Sequence, residues 1–319
     1  MSIKQVIIKF LHRDSTKKQI KKYVKRFNNY SFVDCKCVYP EQYEASITRL
    51  YHTIEKGLSY KEYRPGFGKN NIEKLLTSLE QYSFKGFDTS KFFYQTALSC
   101  LNEYVLKNKK CGYEDPSLNM RIKSLPSKPN DLGGTIIVSK PQHVETLTFE
   151  QLFLNRHSIR HFSNLPVDVS IIQDAIKLAQ HTPSACNRQG WRTRIISNKD
   201  KIKQILANQN GNAGFGQEFD KLLVVTADLR MQQKNREVFQ AFIDGGMYAE
   251  SVLNCLYYKG VGSVPLSASL TYSQEQNVRT VIGVDDAEVF IMFIGVGNYP
   301  DGEFLTTRSE RKPIEVEVI

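Results

Sequence analysis

The chain has 319 residues and a mass of 36.6 kDa, with hydrophobic residues at 41% and charged residues at 24%. These proportions exclude a disordered, collagenous or coiled-coil protein and suffice for a core without disulfide or metal staples. The net charge of +10 lies wholly in the first half: residues 1–150 hold 25 basic and 15 acidic residues, and 151–319 hold 18 of each.

No apolar run approaches the ~18 residues needed to span a bilayer. The opening MSIKQVIIKFLHRD sets a Lys inside its only apolar run, which does not suit a signal peptide. Six cysteines without framework spacing read as reduced thiols in a cytoplasm. The charge asymmetry and the Pro- and Gly-rich stretch 124–143 predict two modules, 1–145 and 146–319, joined by a linker.

The first module reads as mainly helical. Ser15 or Thr16 caps a helix to about Asn28, with Ile20, Tyr23, Val24 and Phe27 as a stripe to be buried and Lys17, Lys18, Lys21, Lys22, Lys25 and Arg26 largely off it. Further helical patterns cover 41–57, 71–82 and 90–107. The basic helix reads as a solvated face. No zinc finger or RNA-recognition signature accompanies it, so nucleic acid is not the expected partner, and no membrane partner is expected.

In the second module a helix capped at Asp168 or Ser170 carries Ile171, Ile172, Ala175, Ile176 and Ala179 on one face. Trp191–Ser197 reads as a strand, 199–208 as a helix and Lys221–Ala227 as a buried strand. A long helix follows over 235–259, then the most hydrophobic strand, 288–296, which is expected to be central. The tail IEVEVI alternates with period 2, as an edge or exchanged strand does. This order predicts an α+β layer structure.

Among the motifs, GNAGFG at 211–216 lacks the dinucleotide-binding spacing and reads as a loop, and no phosphate-binding P-loop or serine-hydrolase elbow is present. His157 and His161 stand four apart without a nearby Cys or carboxylate at ligand spacing, so no metal is expected. Arg156, His157, Ser158 and Arg160 put two guanidinium groups and a hydroxyl in one segment, and Arg308 and Arg311 add charge near the end. Arginine holds phosphate in bidentate fashion, and the amides of Asn187 and Gln189 in the kinked loop 183–191 suit the donors and acceptors of a heterocycle.

Through NRHSIRHF (155–162), TPSACNRQGW (182–191), DGGMYAESVLNCLYYKGVGS (244–263), VPLSASL (264–270) and ERKPIEVEVI, the second half resembles the nitroreductase family of FMN-dependent oxidoreductases. The resemblance implies a fold with an antiparallel or mixed sheet flanked by helices, in a homodimer with an exchanged C-terminal strand. It implies FMN as cofactor, with Arg156 and Arg160 at its phosphate and pyrimidine edge, Arg160 as stabiliser of the N1/O2 side, and Ser158 on the ribityl or phosphate side.

It also implies that Pro183, Ser184, Ala185 and Asn187 reach the flavin from the other subunit, with Gln189 orienting that loop. Pro265, Leu266 and Ser267 lie near the ring, Asn212 offers an amide at its edge, and Arg311 contacts phosphate. Gly190 stands where the family usually has Pro, and Ser267 where a Gly is common.

The implied activity is ping-pong hydride transfer from NAD(P)H through FMN to a small oxidised acceptor, with no side chain required as acid or base. The acceptor would be a nitro compound, a quinone or an unsaturated metabolite. A flavin-dependent dehydrogenase of a biosynthetic intermediate or peptide, and a flavin-binding protein without turnover, are the alternatives. His52, Glu55 and Arg64, beside the turn RPGFG, resemble part of a leader on longer proteins of this type and are expected to line a substrate pocket beneath a lid.

Overall fold

The computed structural model describes residues 3–31, 37–142 and 144–319; Cys35 and His143 lie outside them. The chain forms two compact units that are each discontinuous in sequence: Met1–Lys25 with Ser139–Glu303, and Arg26–Val138 with Phe304–Ile319.

The first helix, α1 (Ile3–Tyr30), starts earlier than its capping signals suggested. Its apolar stripe is not a buried seam, because Ile20 is 41% and Val24 47% exposed. Its attachments include Thr16 Oγ1 donating to the Asn235 carbonyl at 3.2 Å and the Tyr23 ring 4.9 Å from Phe239.

The helices α2 (Pro40–Leu58), α3 (Lys69–Phe84), α4 (Phe92–Lys110) and α5 (Pro116–Ser124) build the core of the second unit. Ile47, Leu50, Ile54 and Leu58 of α2 recur at helical spacing and face Leu75, Leu76 and Leu79 of α3 and Tyr94, Leu98 and Leu101 of α4 within one apolar cluster. Asp115 caps α5, accepting from Leu118 N, with Pro116 at the first helical position.

The stretch expected to be a linker is structured. It carries strand β1 (Thr135–Ser139), entered through Gly133, where a Cβ would stand 2.3 Å from the Thr96 carbonyl. Only glycine lets the chain approach α4 that closely. Glu103 then receives Thr135 N at 2.8 Å and Thr135 Oγ1 at 2.5 Å.

The other unit continues with α6 (Phe149–Asn155), α7 (Val169–Ala179, capped by Asp168), β2 (Trp191–Ile196), α8 (Lys199–Leu206), β3 (Lys221–Asp228), α9 (Gln240–Tyr258), β4 (Gly262–Ser267), α10 (Tyr272–Ile282) and β5 (Glu288–Gly297). The long helix read from 235 begins as a separate 3-10 turn, Asn235–Glu237.

The sheet runs β2-β3-β5-β4 and every neighbouring pair is antiparallel. β3 is buried at every residue and β5 lies inside the sheet, as its hydrophobicity indicated. α9 packs on the sheet and on α7, burying Tyr248, Ala249, Val252 and Leu256 with Leu223, Val225 and Ile294. The fold is thus α+β, with an antiparallel sheet flanked by helices beside a mainly helical part.

The last strand, β6 (Glu303–Thr307), pairs with β1. Beyond it the IEVEVI tail forms no strand within one chain, and Ile314 and Val318 are 85% and 98% exposed.

Candidate functional site

The segment Arg156–Phe162 lies along β4. Ile159 N donates to the Ser263 carbonyl at 2.9 Å, and Ser163 N to the Asn298 carbonyl at 3.0 Å. The segment seats because Gly262 and Gly297 leave room: a Cβ on Gly297 would stand 2.6 Å from the Phe162 ring. Glu218 takes Phe162 N at 3.1 Å and pairs with His161 Nδ1 at 3.3 Å, while Asp220 takes Val167 N at 2.7 Å.

Of the two arginines of this segment, Arg160 is buried and Arg156 half-buried. Arg160 is 6% exposed with its guanidinium 5.8 Å from the Phe215 ring centre, a cation–π arrangement. Arg156 follows α6 as its C-cap, and its Nη1 is buried with no hydrogen bond among the described residues. An enclosed guanidinium nitrogen without a partner carries an uncompensated desolvation cost, which an anion placed there removes. His157 and Ser158 are half-buried in the same turn.

Pro265, Leu266 and Ser267 end β4 beside this segment. The Ser267 carbonyl accepts from Gln209 Nε2 at 3.0 Å. Asn212 joins through Gln209, but its amide nitrogen donates to the Leu206 and Gln209 carbonyls at 2.9 and 2.7 Å, so its side chain also holds the GNAGFG turn together.

The loop Pro183–Gly190 has unusual backbone. Cys186, Asn187 and Gln189 adopt φ of 51°, 53° and 49°, a left-handed conformation that costs non-glycine residues energy. Its supports are numerous. Ser184 Oγ accepts from Gln189 N at 2.9 Å, and the Asp244 carboxylate accepts from Ala185 N at 3.3 Å. Arg188 donates to Glu237 at 2.7 Å, and this ion pair lowers the Glu237 pKa to about 2.

The loop leads into β2, one edge of the sheet, whereas Arg156–Phe162 and Pro265–Ser267 lie at β4, the opposite edge. Three strand spacings of ~4.8 Å separate those edges by about 14 Å. One chain therefore gathers Arg156, His157, Ser158, Arg160, Pro265, Leu266 and Ser267 at one place and Pro183, Ser184, Ala185, Asn187 and Gln189 at another.

Five further residues named from sequence belong to the other unit. His52 Nδ1 lies 3.1 Å from Glu55 Oε2 and 3.5 Å from Ser309 Oγ, and Glu55, wholly buried, accepts Gly134 N at 3.1 Å. Arg308 donates its backbone N to the Gly134 carbonyl at 3.0 Å and lies 3.9 Å from Asp131, while Arg311 donates to the Ser309 carbonyl. His52, Glu55, Arg308 and Arg311 thus share one neighbourhood. Arg64 stands exposed, its carbonyl accepting from Phe67 N.

Sequence reasoning missed Glu218, Asp220, Asp244, Gln180 and Gln209. Asp244 opens a quoted motif, and Glu218 and Asp220 stand immediately before β3, but nothing local marks which backbone N–H a carboxylate serves.

The model of the nitroreductase family matches residues 154–240. That match supports an oxidoreductase.

A protein of Archaeoglobus fulgidus assigned by name to the NADH dehydrogenase/NAD(P)H nitroreductases is 24% identical over 156 residues, covering 48% of this chain and 86% of its own. Solved structures similar to the chain include an FMN-dependent nitroreductase of Clostridium difficile (18% identity, TM-score 0.42, 47% of this chain and 87% of that one). Another is a nitroreductase-named protein of Exiguobacterium sibiricum in complex with FMN (14%, TM-score 0.45, 54% and 94%). No helix among the described residues is long and apolar enough to cross a membrane.

Proposed function

We propose that the chain is an FMN-dependent oxidoreductase that draws on NAD(P)H and reduces a small oxidised acceptor (a nitro compound, a quinone or an unsaturated metabolite), working as a cytoplasmic homodimer. The observation that carries this reading is the buried, unpartnered Nη1 of Arg156 inside the segment that the nitroreductase-family model matches. It fits the phosphate of a bound FMN, with Ser158 beside it and Arg160 at the pyrimidine edge. When bound, the flavin supplies the hydride chemistry. The protein's part is to hold and orient it, to offset negative charge near N1 through Arg160, and to keep water out behind Pro265 and Leu266.

The separation of the two clusters supports the homodimer. Asn187 and its loop border the opposite sheet edge from Arg156, an arrangement in which a second copy can supply the other half of a site. Phe239 at the start of α9 and Phe242, Ile243 and Met247 on the helix are 38–54% exposed, and Phe149, Phe153 and Leu154 of α6, which packs on α9, are 53–79% exposed. An apolar face of this kind marks an interaction surface. The exposed IEVEVI tail suits addition to the partner.

The test is the visible spectrum of the purified protein, recorded anaerobically before and after NADPH and then NADH. Bleaching of a bound flavin is expected. A flavin that stays oxidised would favour binding without turnover, and a colourless protein that cannot be reconstituted with FMN would overturn the proposal.

A further inference from the structure

A directed chain of hydrogen bonds runs from the core to the tip of the strained loop. Trp191, the single tryptophan, is 6% exposed and stacked on Tyr248 with ring centres 4.7 Å apart and planes at 6°. Its indole N–H can only donate, and Gln180 Oε1 accepts it at 2.8 Å. That fixes the Gln180 amide, whose Nε2 must face away and donates to Gln189 Oε1 at 2.8 Å. Gln189 in turn donates through Nε2 to Asn187 Oδ1 at 2.8 Å and to the Asn187 carbonyl at 3.1 Å.

The carbonyl only accepts, so the far end of the chain demands the same polarity as the indole. Asn187 Oδ1 is thereby engaged. Its Nδ2 makes no hydrogen bond among the described residues and remains a donor.

We infer that Gln180, at the C-cap of α7, is a positioning residue: it transmits the donor polarity of the Trp191 N–H to Asn187, so that the loop keeps the Asn187 Nδ2 donor for a ligand. The ligand atom it suits is an acceptor on a heteroaromatic ring, such as a ring carbonyl oxygen. The identity of that ring as flavin rests on the reading above.

The experiment compares wild type, Gln180→Leu and Gln180→Glu. One readout is the single indole 1H–15N resonance; the other is FMN affinity, followed by quenching of FMN fluorescence. Gln180→Leu shifts the resonance, because the buried N–H loses its acceptor, and weakens FMN binding. Gln180→Glu leaves the resonance near its wild-type position at pH 7, since a carboxylate still accepts. It cannot donate to Gln189, so the polarity is lost and FMN affinity falls roughly tenfold, the worth of one hydrogen bond.

Lowering the pH through the glutamate range, near ~4.3, restores a donor at position 180 and recovers affinity in Gln180→Glu relative to wild type. A merely structural role predicts no such recovery. An unmoved indole resonance in Gln180→Leu, full FMN affinity in Gln180→Glu at pH 7, or a loss that acid does not reverse would each overturn the inference. A wild-type protein that takes up no FMN removes the flavin reading instead, and the relay then stands or falls on the indole resonance.

Discussion

Glu288 at the start of β5 is 1% exposed and accepts from four donors: Arg194 twice at 2.8 Å, Arg192 at 3.3 Å and Thr226 Oγ1 at 2.5 Å. Replacing it by Gln keeps the shape and removes the charge. Removing one partner of a buried ion pair costs about 3–5 kcal/mol when the other charge stays buried. Here Arg194 and Arg192 are 26% and 51% exposed in their side chains, so water recovers part of the loss. The expected destabilisation at pH 7 is about 2–3 kcal/mol, within the range for hydrogen bonds to charged groups.

The pH dependence has a definite sign. The hydrogen bonds from Arg194 hold the Glu288 carboxyl below its ordinary value. Its contribution is therefore present above the unfolded value near ~4.3 and is lost as pH falls through the lower folded value. Wild type and Glu288→Gln should differ at neutral pH and converge in acid. Guanidinium unfolding followed by Trp191 fluorescence measures this, since that side chain sits in β2 of the same sheet. Equal midpoints at pH 7, or a gap that does not shrink as the pH is lowered below the ordinary glutamate range, would refute the reasoning.

Arg156→Ala should lower FMN affinity about 10- to 100-fold in a fluorescence titration, the range for one charge-assisted hydrogen bond, with little change in melting temperature. Gly297→Ala forces a Cβ to 2.6 Å from the Phe162 ring, so a loss of about 1–3 kcal/mol in stability is expected in chemical denaturation, together with poorer FMN retention. Phe242→Glu combined with Ile243→Glu should shift the protein from dimer to monomer by light scattering and release its flavin; a dimer that persists would remove α9 from the interface.

The period of the apolar residues carried the strands β2, β3 and β5 and the helices α2, α3, α4 and α7, because a buried face leaves its spacing in the chain. It failed for α1, where Ile20 and Val24 have helical spacing without a covering core, and spacing cannot report what lies opposite. Over 124–143 it was the Pro and Gly content that misled, since this stretch carries β1. Gly133 looked like linker composition, yet it is there because Thr96 of α4 lies so close, a fact set by a residue far back in the sequence.

Of the candidate site, the residues proposed to meet a ligand were named from motifs, whereas those that hold them in place were not. Glu218, Asp244 and Gln180 act on backbone or side-chain groups in other segments, and that pairing exists only after folding. That loop 183–187 stands apart from Arg156 was an expectation from the resemblance, but which sheet edge each motif borders was not, since motif order along a chain says nothing of it.

The pairing of β1 with β6 gives the protein a particular order of assembly on the ribosome. Helices α2 to α5 emerge early and carry local contacts that form quickly. The strand that closes their unit, however, is made only after the entire stretch matched by the nitroreductase-family model has been translated. Until then β1 leaves the exit tunnel with an unpaired edge, which nascent chains can misuse for aggregation. Synthesis of β6, not of the first half of the chain, is the event that completes the early-made unit.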